Sequence, residues 1–348
     1  MSRRYVIIGA GAIGGAIGGR LALAGSDVVL VARGEHLAAL QTDGLRLRTP
    51  TEDVRVAPPA VGGPTGLELR GEDVLMLATK TQQADAALVA WADAPVRDGD
   101  RVIGTAGSEL PVFTALNGVA SESMAQRYFR RVFGVCVWMP AVHLVPGEVI
   151  IRGAPRSGML HLGRVPAGDH EQDHQLLAEI AADWSAANFD VPLPADVMPW
   201  TYRTLISNLG NVFQALVRHN GDWQPLAERA EAEARRVLDA AGIAYTRDED
   251  EGAARQAGFT MRPVPGVEDP GGSTWQSLTR GTGNVETDYL NGEIAAIAHR
   301  IGQTAPLNEA LASLARRAAA ERWQPGELSA AELADRLGVS IDQPTGGQ

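Results

Sequence analysis

The sequence predicts an α/β fold class, an N-terminal doubly wound sheet followed by an all-helical domain, and three observations carry that expectation. Apolar runs at Tyr5–Ile8, Asp27–Val31 and Asp73–Leu77 are separated by stretches of helical spacing, the pattern of a parallel sheet covered on both faces. A glycine-rich turn joins the first of these runs directly to the first helical stretch. After Pro192-Leu193-Pro194 the strand-like runs almost vanish. The 348 residues suit two domains of ordinary size.

In chain order, Tyr5-Val6-Ile7-Ile8 is the first expected strand, and Ile13, Ile17, Leu21 and Leu23 behind the turn lie near helical spacing. Asp27–Val31 is the second strand, followed by a helix around His36 to Gln41. Strand-like stretches follow at Leu45–Leu47 and Val54–Val56, then the buried strand Asp73–Leu77. Short β runs at Val132–Met139, Glu148–Ile151 and Met159–Leu162 are expected to extend the sheet, and a helix from about Asp169 to Asn188 closes this part. Helices are expected at Trp200–Arg218, Pro225–Ala241, Gly283–Gly302 and Leu307–Arg322, and a frayed tail at Pro344–Gln348.

Composition narrows the function. The chain is 45% hydrophobic and 21% charged, as ordinary globular proteins are. With 31 basic against 42 acidic residues the formal charge is −11, and no basic block is evident, so neither nucleic acid nor an anionic membrane surface is an expected partner. The single Cys136 excludes an internal disulfide and points to a reducing compartment, with the cytoplasm as the expected location. Ser2-Arg3-Arg4 before an apolar run superficially resembles a signal peptide, but Arg20 interrupts the run and its glycines have a better explanation.

That explanation is Gly9-Ala10-Gly11-Ala12-Ile13-Gly14, a G-x-G-x-x-G between an expected strand and an expected helix. In that context Gly9 makes the tight turn, Gly11 admits a dinucleotide's diphosphate, and Gly14 lets helix and strand pack closely. The helix N-terminus supplies free N–H groups to the anion. At the end of the second strand an acidic residue would bond a ribose 2′-hydroxyl, whereas an arginine accommodates a 2′-phosphate. The strand runs into Ala32-Arg33-Gly34, so Arg33 favours NADP(H), with Glu35 close by. Lys80, just past the strand ending at Leu77, sits where a second cation would meet that phosphate.

These residues, followed by Asn117-Gly118, the Pro146-Gly147-Glu148-Val149 turn, Asn208-Leu209-Gly210-Asn211 and Glu286-Thr287-Asp288-Tyr289-Leu290-Asn291-Gly292, resemble the ketopantoate reductase family in order and rough spacing. The resemblance runs from about residue 5 to 320 and rests on the series more than on any one motif. It implies a Rossmann-type domain over 1–195, a helical substrate and dimerisation domain over 196–325 and an extension over 326–348. NADPH and a small 2-oxo acid, or a related carbonyl or imine, would meet in the cleft between them, and a homodimer is one expected assembly. Carried over residue by residue, Gly9, Gly11, Ala12, Ile13 and Gly14 would hold the diphosphate, Arg33 and Lys80 the 2′-phosphate, and Asn117 the nicotinamide end. Asn117, Thr204, Asn211, Ser273 and Thr274 would contact substrate; Arg203, Asn208 and Glu286 would be catalytic, Glu286 also touching cofactor. Ser273 and Thr274 compete for one role, because the stretch to Glu286 is a residue longer than the family's usual spacing.

The departure matters more than the matches. The family places a lysine four residues before the asparagine matched by Asn208, and here that position is Thr204. A lysine there protonates or polarises the carbonyl oxygen as hydride arrives, and threonine is too weak an acid to replace it. Arg203 is adjacent but points about 100° away on a helix; it clamps carboxylates well and donates protons poorly. Either Arg203 or Tyr202 takes over on a shifted helix, or the substrate needs no lysine, as a protonated imine would not, or the chain is a cofactor-binding regulatory protein without turnover. A one-residue shift of register is a fourth explanation.

Other constellations are weaker. His170 and His174 sit four apart in a polar helix start, without an H-E-x-x-H, and no metal is expected. Asp248-Glu249-Asp250-Glu251 reads as a solvated loop or helix start, and Cys136 as a core residue.

Overall fold

The computed structural model describes residues 3–168, 170–218, 222–267, 271–281 and 283–339, with the backbone alone at 254–257. They divide into two compact units, residues 1–201 with 246–267 and residues 202–245 with 268–348. The first is α/β and the second helical, the fold class expected from the sequence.

In the first unit a seven-stranded sheet runs in the order Met159–Val165, Arg131–Trp138, Pro111–Thr114, Asp73–Leu77, Arg4–Ile8, Asp27–Val31, Ala60–Val61. Every pairing is parallel except that of the edge strand Met159–Val165. The alternation of a strand explains why its central members are apolar throughout. Tyr5 and Ile7 pack in one core layer with Leu30, Phe113 and Trp184, while Val6 and Ile8 pack in the other with Leu75, Leu88 and Trp91. The exceptions are Arg4 and Asp73, neighbours in register, which form a buried pair with Nε–Oδ1 and Nη2–Oδ2 distances of 2.8 and 2.7 Å.

Glu148–Ile151 was expected to extend this sheet and does not. It pairs in parallel with Leu45–Arg48 in a second, four-stranded sheet. The glycines of the helix Ala12–Leu23 allow this: a Cβ on Gly15 would sit 2.8 Å from Val149 Cγ2, and one on Gly19 would sit 2.9 Å from Leu45 Cδ2. A leucine in either place would push the second sheet away. Residues 246–267 rejoin the first unit, where Phe259–Met261 pairs with Gly153–Pro155. The sequence reading drew those residues into one continuous helical domain.

In the second unit, helices Asn211–Leu216, Gln224–Ala240, Ser273–Thr279 and Pro306–Ala320 contribute to a core that includes Phe213, Leu226, Leu311 and Leu333. The single helix expected over 200–218 is two, Met198–Asn208 and Asn211–Leu216, interrupted at Leu209-Gly210. Of the helix expected over 283–302, only Asn291–Arg300 is α-helical, after a short 3-10 turn at Glu286–Tyr289. The C-terminal stretch forms a further helix, Ala330–Leu337, in which Leu333 is fully buried; Pro344–Gln348 lie outside the described residues. Ser329 and Glu332 cap this helix reciprocally. Ser329→Ala is expected to cost about 1 kcal/mol, read as a lower urea midpoint of unfolding.

Candidate active site

The chain leaves Arg4–Ile8 for Asp27–Val31 and Ala60–Val61 on one side, then crosses back to Asp73–Leu77 on the other. Successive loops therefore diverge at the carboxyl ends of the two central strands, the place where open α/β sheets bind ligands. The glycine-rich turn lies there. Gly9 N and Ala10 N both donate to Val31 O, at 3.1 and 2.9 Å. Gly9 has φ +101°, and a Cβ on it would lie 2.9 Å from Thr79 N in the neighbouring loop. A Cβ on Gly14 would lie 2.2 Å from Gly9 O. Gly11 differs from both: a Cβ there would meet nothing within 4 Å. Gly11 is also the N-cap of the helix Ala12–Leu23 and makes no side-chain cap, so the first-turn amides of Ala12 and Ile13 have no side-chain oxygen at that cap.

The remaining first-unit candidates follow neighbouring strands of the same sheet. Arg33 is exposed at the end of Asp27–Val31 and precedes the helix Gly34–Asp43, with Glu35 exposed beside it. Lys80 is half-buried after Asp73–Leu77. Asn117 is half-buried after Pro111–Thr114, and its carbonyl accepts from Thr81 Oγ1 at 3.2 Å, tying the Lys80 and Asn117 loops together. Sequence reasoning missed Glu122, a fully buried acid whose Oε1 accepts from Thr114 Oγ1 at 2.9 Å. Burial pushes its carboxyl above the usual carboxylate range. No local spacing marks it, because burial of a lone acid is a tertiary property.

In the second unit the break at Leu209-Gly210 gathers polar side chains. Asn211 Nδ2 donates to Asn208 Oδ1 at 3.4 Å and to Ser273 Oγ at 3.3 Å. Gln214 Oε1 accepts from Gly272 N at 3.2 Å, holding the start of the helix Ser273–Thr279. Thr274, competing with Ser273 for one role, is 2% exposed, and its hydroxyl has no hydrogen-bond partner among the described residues. Arg203 is 9% exposed, and its Nη1 donates to Ser207 Oγ at 2.9 Å; Thr204 is buried beside it. Glu286 is 3% exposed in the 3-10 turn and lies within electrostatic reach of Arg280. Burial lowers the Arg280 guanidinium from its ordinary range, and Glu286 opposes that shift. Ser207, Gln214 and Arg280 were missed. A signal for Ser207 existed: Arg203, Ser207 and Asn211 recur at intervals of four.

The weaker constellations resolve simply. Cys136 is buried in Arg131–Trp138. His170 and His174 are exposed at the start of Glu171–Ala186; the acidic run opens the helix Asp248–Gly258, with Asp248, Glu249 and Asp250 exposed and Glu251 buried rather than solvated. Among the described residues no group of three or more His, Cys, Asp or Glu side chains could hold a metal ion, and no helix is long and apolar enough to cross a membrane.

A family model described as ketopantoate reductase PanE/ApbA matches residues 5–167, and its C-terminal counterpart matches residues 200–319. A 2-dehydropantoate 2-reductase of Pyrococcus horikoshii is 26% identical over 313 residues, 88% of this chain and 94% of the relative. A solved PanE/ApbA family ketopantoate reductase from Ralstonia eutropha superposes with a TM-score of 0.71 at 26% identity, covering 92% of this chain and 99% of that one. A D-mandelate dehydrogenase solved with NADH and anilino(oxo)acetate has the same fold, with a TM-score of 0.71 at 19% identity, covering 92% of this chain and 99% of that one.

Proposed function

The chain belongs to the ketopantoate reductase family, and from that premise we propose that it uses NADPH to reduce a small 2-oxo acid or a related carbonyl or imine. The observation that carries the reading is the glycine-rich turn at the switch point. Its first and third glycines are fixed by contacts within the fold, while Gly11 faces open space beside a helix start without a side-chain cap. Gly9, Gly11, Ala12, Ile13 and Gly14 would hold the diphosphate through backbone amides, and Asn117 would lie toward the nicotinamide. The bound cofactor would supply the hydride.

Exposed Arg33 at the strand end, with half-buried Lys80 at the same sheet edge, supports NADPH over NADH. Arg33→Ala is expected to weaken NADPH roughly tenfold, about 1.4 kcal/mol, while leaving NADH unchanged; parallel fluorescence titrations measure both. Equal losses for the two cofactors would remove Arg33 from the 2′-phosphate.

For the substrate, Arg203 supplies a fixed cation for a carboxylate or a developing oxyanion. Asn208, Asn211 and Ser273 form a polar line that orients it, and the Thr274 hydroxyl has spare hydrogen-bonding capacity. Glu286 accepts from a substrate hydroxyl, within electrostatic reach of Arg280. In this reading Arg203 and Thr204 bind and polarise while solvent delivers the proton.

The test is NADPH and NADH binding followed by oxidation at the nicotinamide absorbance band, with ketopantoate, other 2-oxo acids and cyclic imines. Selective NADPH binding with turnover of one of them is expected. Tight binding with no turnover across the panel would overturn the reductase reading in favour of a cofactor-binding regulatory or interaction protein. The absence of lysine at Thr204 is what keeps that second reading in play.

A further inference from the structure

His36 is absorbed by none of the roles above, yet it touches the cofactor turn directly. It lies in the first turns of the helix Gly34–Asp43, half-buried, with both ring nitrogens committed to backbone. Nε2 lies 2.7 Å from Ala10 O in the glycine-rich turn. On the opposite side of the ring, Gly147 N donates to Nδ1 at 2.9 Å. Because an amide N–H can only donate, Nδ1 must be the unprotonated nitrogen, and Nε2–H must donate to Ala10 O. The neutral Nε2–H tautomer is the one form that satisfies both bonds.

The trans peptide turns this bond into a statement about the cofactor turn. In a planar trans amide the C=O and the following N–H point in opposite directions. Holding the Ala10 carbonyl toward His36 therefore aims the Gly11 N–H away from it, at the one glycine of the motif with open space around it. Ala10 O belongs to the turn before the helix Ala12–Leu23, and the His36 side chain supplies its donor. We propose that His36 is a positioning residue for the dinucleotide, clamping the Ala10–Gly11 peptide between the glycine-rich turn and the Pro146–Glu148 turn. The inference rests on the dinucleotide reading above.

The surroundings favour the neutral ring. Burial lowers the His36 imidazole below its ordinary range. The His143 ring packs at 4.2 Å between centroids, and its own Nδ1 lies 2.9 Å from Glu148 O. The Glu148 carboxylate is engaged by Arg46 at 3.1 Å and faces Arg48 at 3.6 Å. On the ring's own element, Arg33 and Glu35 flank it as exposed charges of opposite sign. Protonation would place a second donor against Gly147 N–H, so the clamp holds above the ordinary histidine pKa of about 6.5 and opens as pH falls below the lowered one.

Two variants separate clamp from packing. His36→Phe keeps a ring against His143 and loses both bonds; His36→Gln keeps an amide able to donate to Ala10 O. In titrations with NADP+ and NAD+ at pH 8, His36→Phe is expected to weaken binding roughly tenfold, about 1.4 kcal/mol, with kcat at saturating cofactor near that of the wild type. His36→Gln should recover most of the affinity. In two-bond 1H–15N spectra of the wild type, His36 should show the Nε2–H pattern and hold it to lower pH than an exposed histidine. Wild-type affinity in His36→Phe, equal losses in both variants, or an Nδ1–H tautomer would overturn the proposal. Failure of the wild type to bind either dinucleotide would instead overturn the function from which it starts.

Discussion

Gly11→Val is expected to abolish NADPH binding, a loss on the order of 100-fold or more, while the protein still folds. The two halves of that expectation come from the same observation. Its chain neighbours aside, a Cβ at Gly11 meets nothing within 4 Å, so a side chain there starts out into open space in the free protein. Loss of glycine at an N-cap costs at most about 1 kcal/mol. The room it fills is the space a diphosphate needs against the helix start. Gly14→Ala makes the contrast. Its Cβ would fall 2.2 Å from Gly9 O and 3.0 Å from Ala78 Cβ, so helix and turn must separate and the fold itself suffers. Thermal unfolding beside NADPH titration distinguishes them: Gly11→Val should keep its melting temperature and lose the ligand, and Gly14→Ala should lose melting temperature first. NADPH affinity unchanged in Gly11→Val would remove the turn from the site.

That contrast shows what a glycine motif says on its own. The motif gives its three glycines different expected roles, and the packing distinguishes them too: close contacts hold Gly9 and Gly14, while Gly11 has open space around it. The same division runs through the chain. Strands Arg4–Ile8, Asp27–Val31 and Asp73–Leu77 were legible because burial on both faces leaves continuous apolar runs. Pro111–Thr114 was missed although it is central in the sheet, because four residues opening on proline carry too little pattern. The pairing of Glu148–Ile151 with Leu45–Arg48, and of Phe259–Met261 with Gly153–Pro155, depends on partners about a hundred residues away, which no local window contains. The cap at Ser329 was legible as S-x-x-E and went unread.

The candidate site divides in the same manner. Arg33 and Lys80 were placed by their position after strands, and they stand at those strand ends; Asn117 came from the family resemblance alone, and it follows the unforeseen strand Pro111–Thr114. His36 and Glu122 carry no motif; their character comes from the amide, carbonyl or hydroxyl that the fold brings to them. Ser273 and Thr274 could not be separated by spacing. The structure gives them different environments, one bonded to Asn211 and the other buried with an unbonded hydroxyl.

Arg203→Ala is expected to lower kcat/KM by about 10²- to 10³-fold, the usual cost of removing one donor to a developing oxyanion, with NADPH affinity unchanged. Arg203 is buried on a helix with Ser207 one turn away, so its cation is held in one direction. Arg203→Lys keeps a cation there and controls for the loss of a buried charge. Thr204→Lys places the same group about 100° around the helix. The pair reads the register directly. If turnover survives in Arg203→Lys and collapses in Thr204→Lys, the arginine occupies the position the family gives to lysine. If Thr204→Lys raises turnover and Arg203→Ala costs less than about threefold, well under 1 kcal/mol, the missing lysine belongs at 204 and Arg203 has no part in the reaction. A helix can present only one of these two side chains to a given point, so the two outcomes exclude each other.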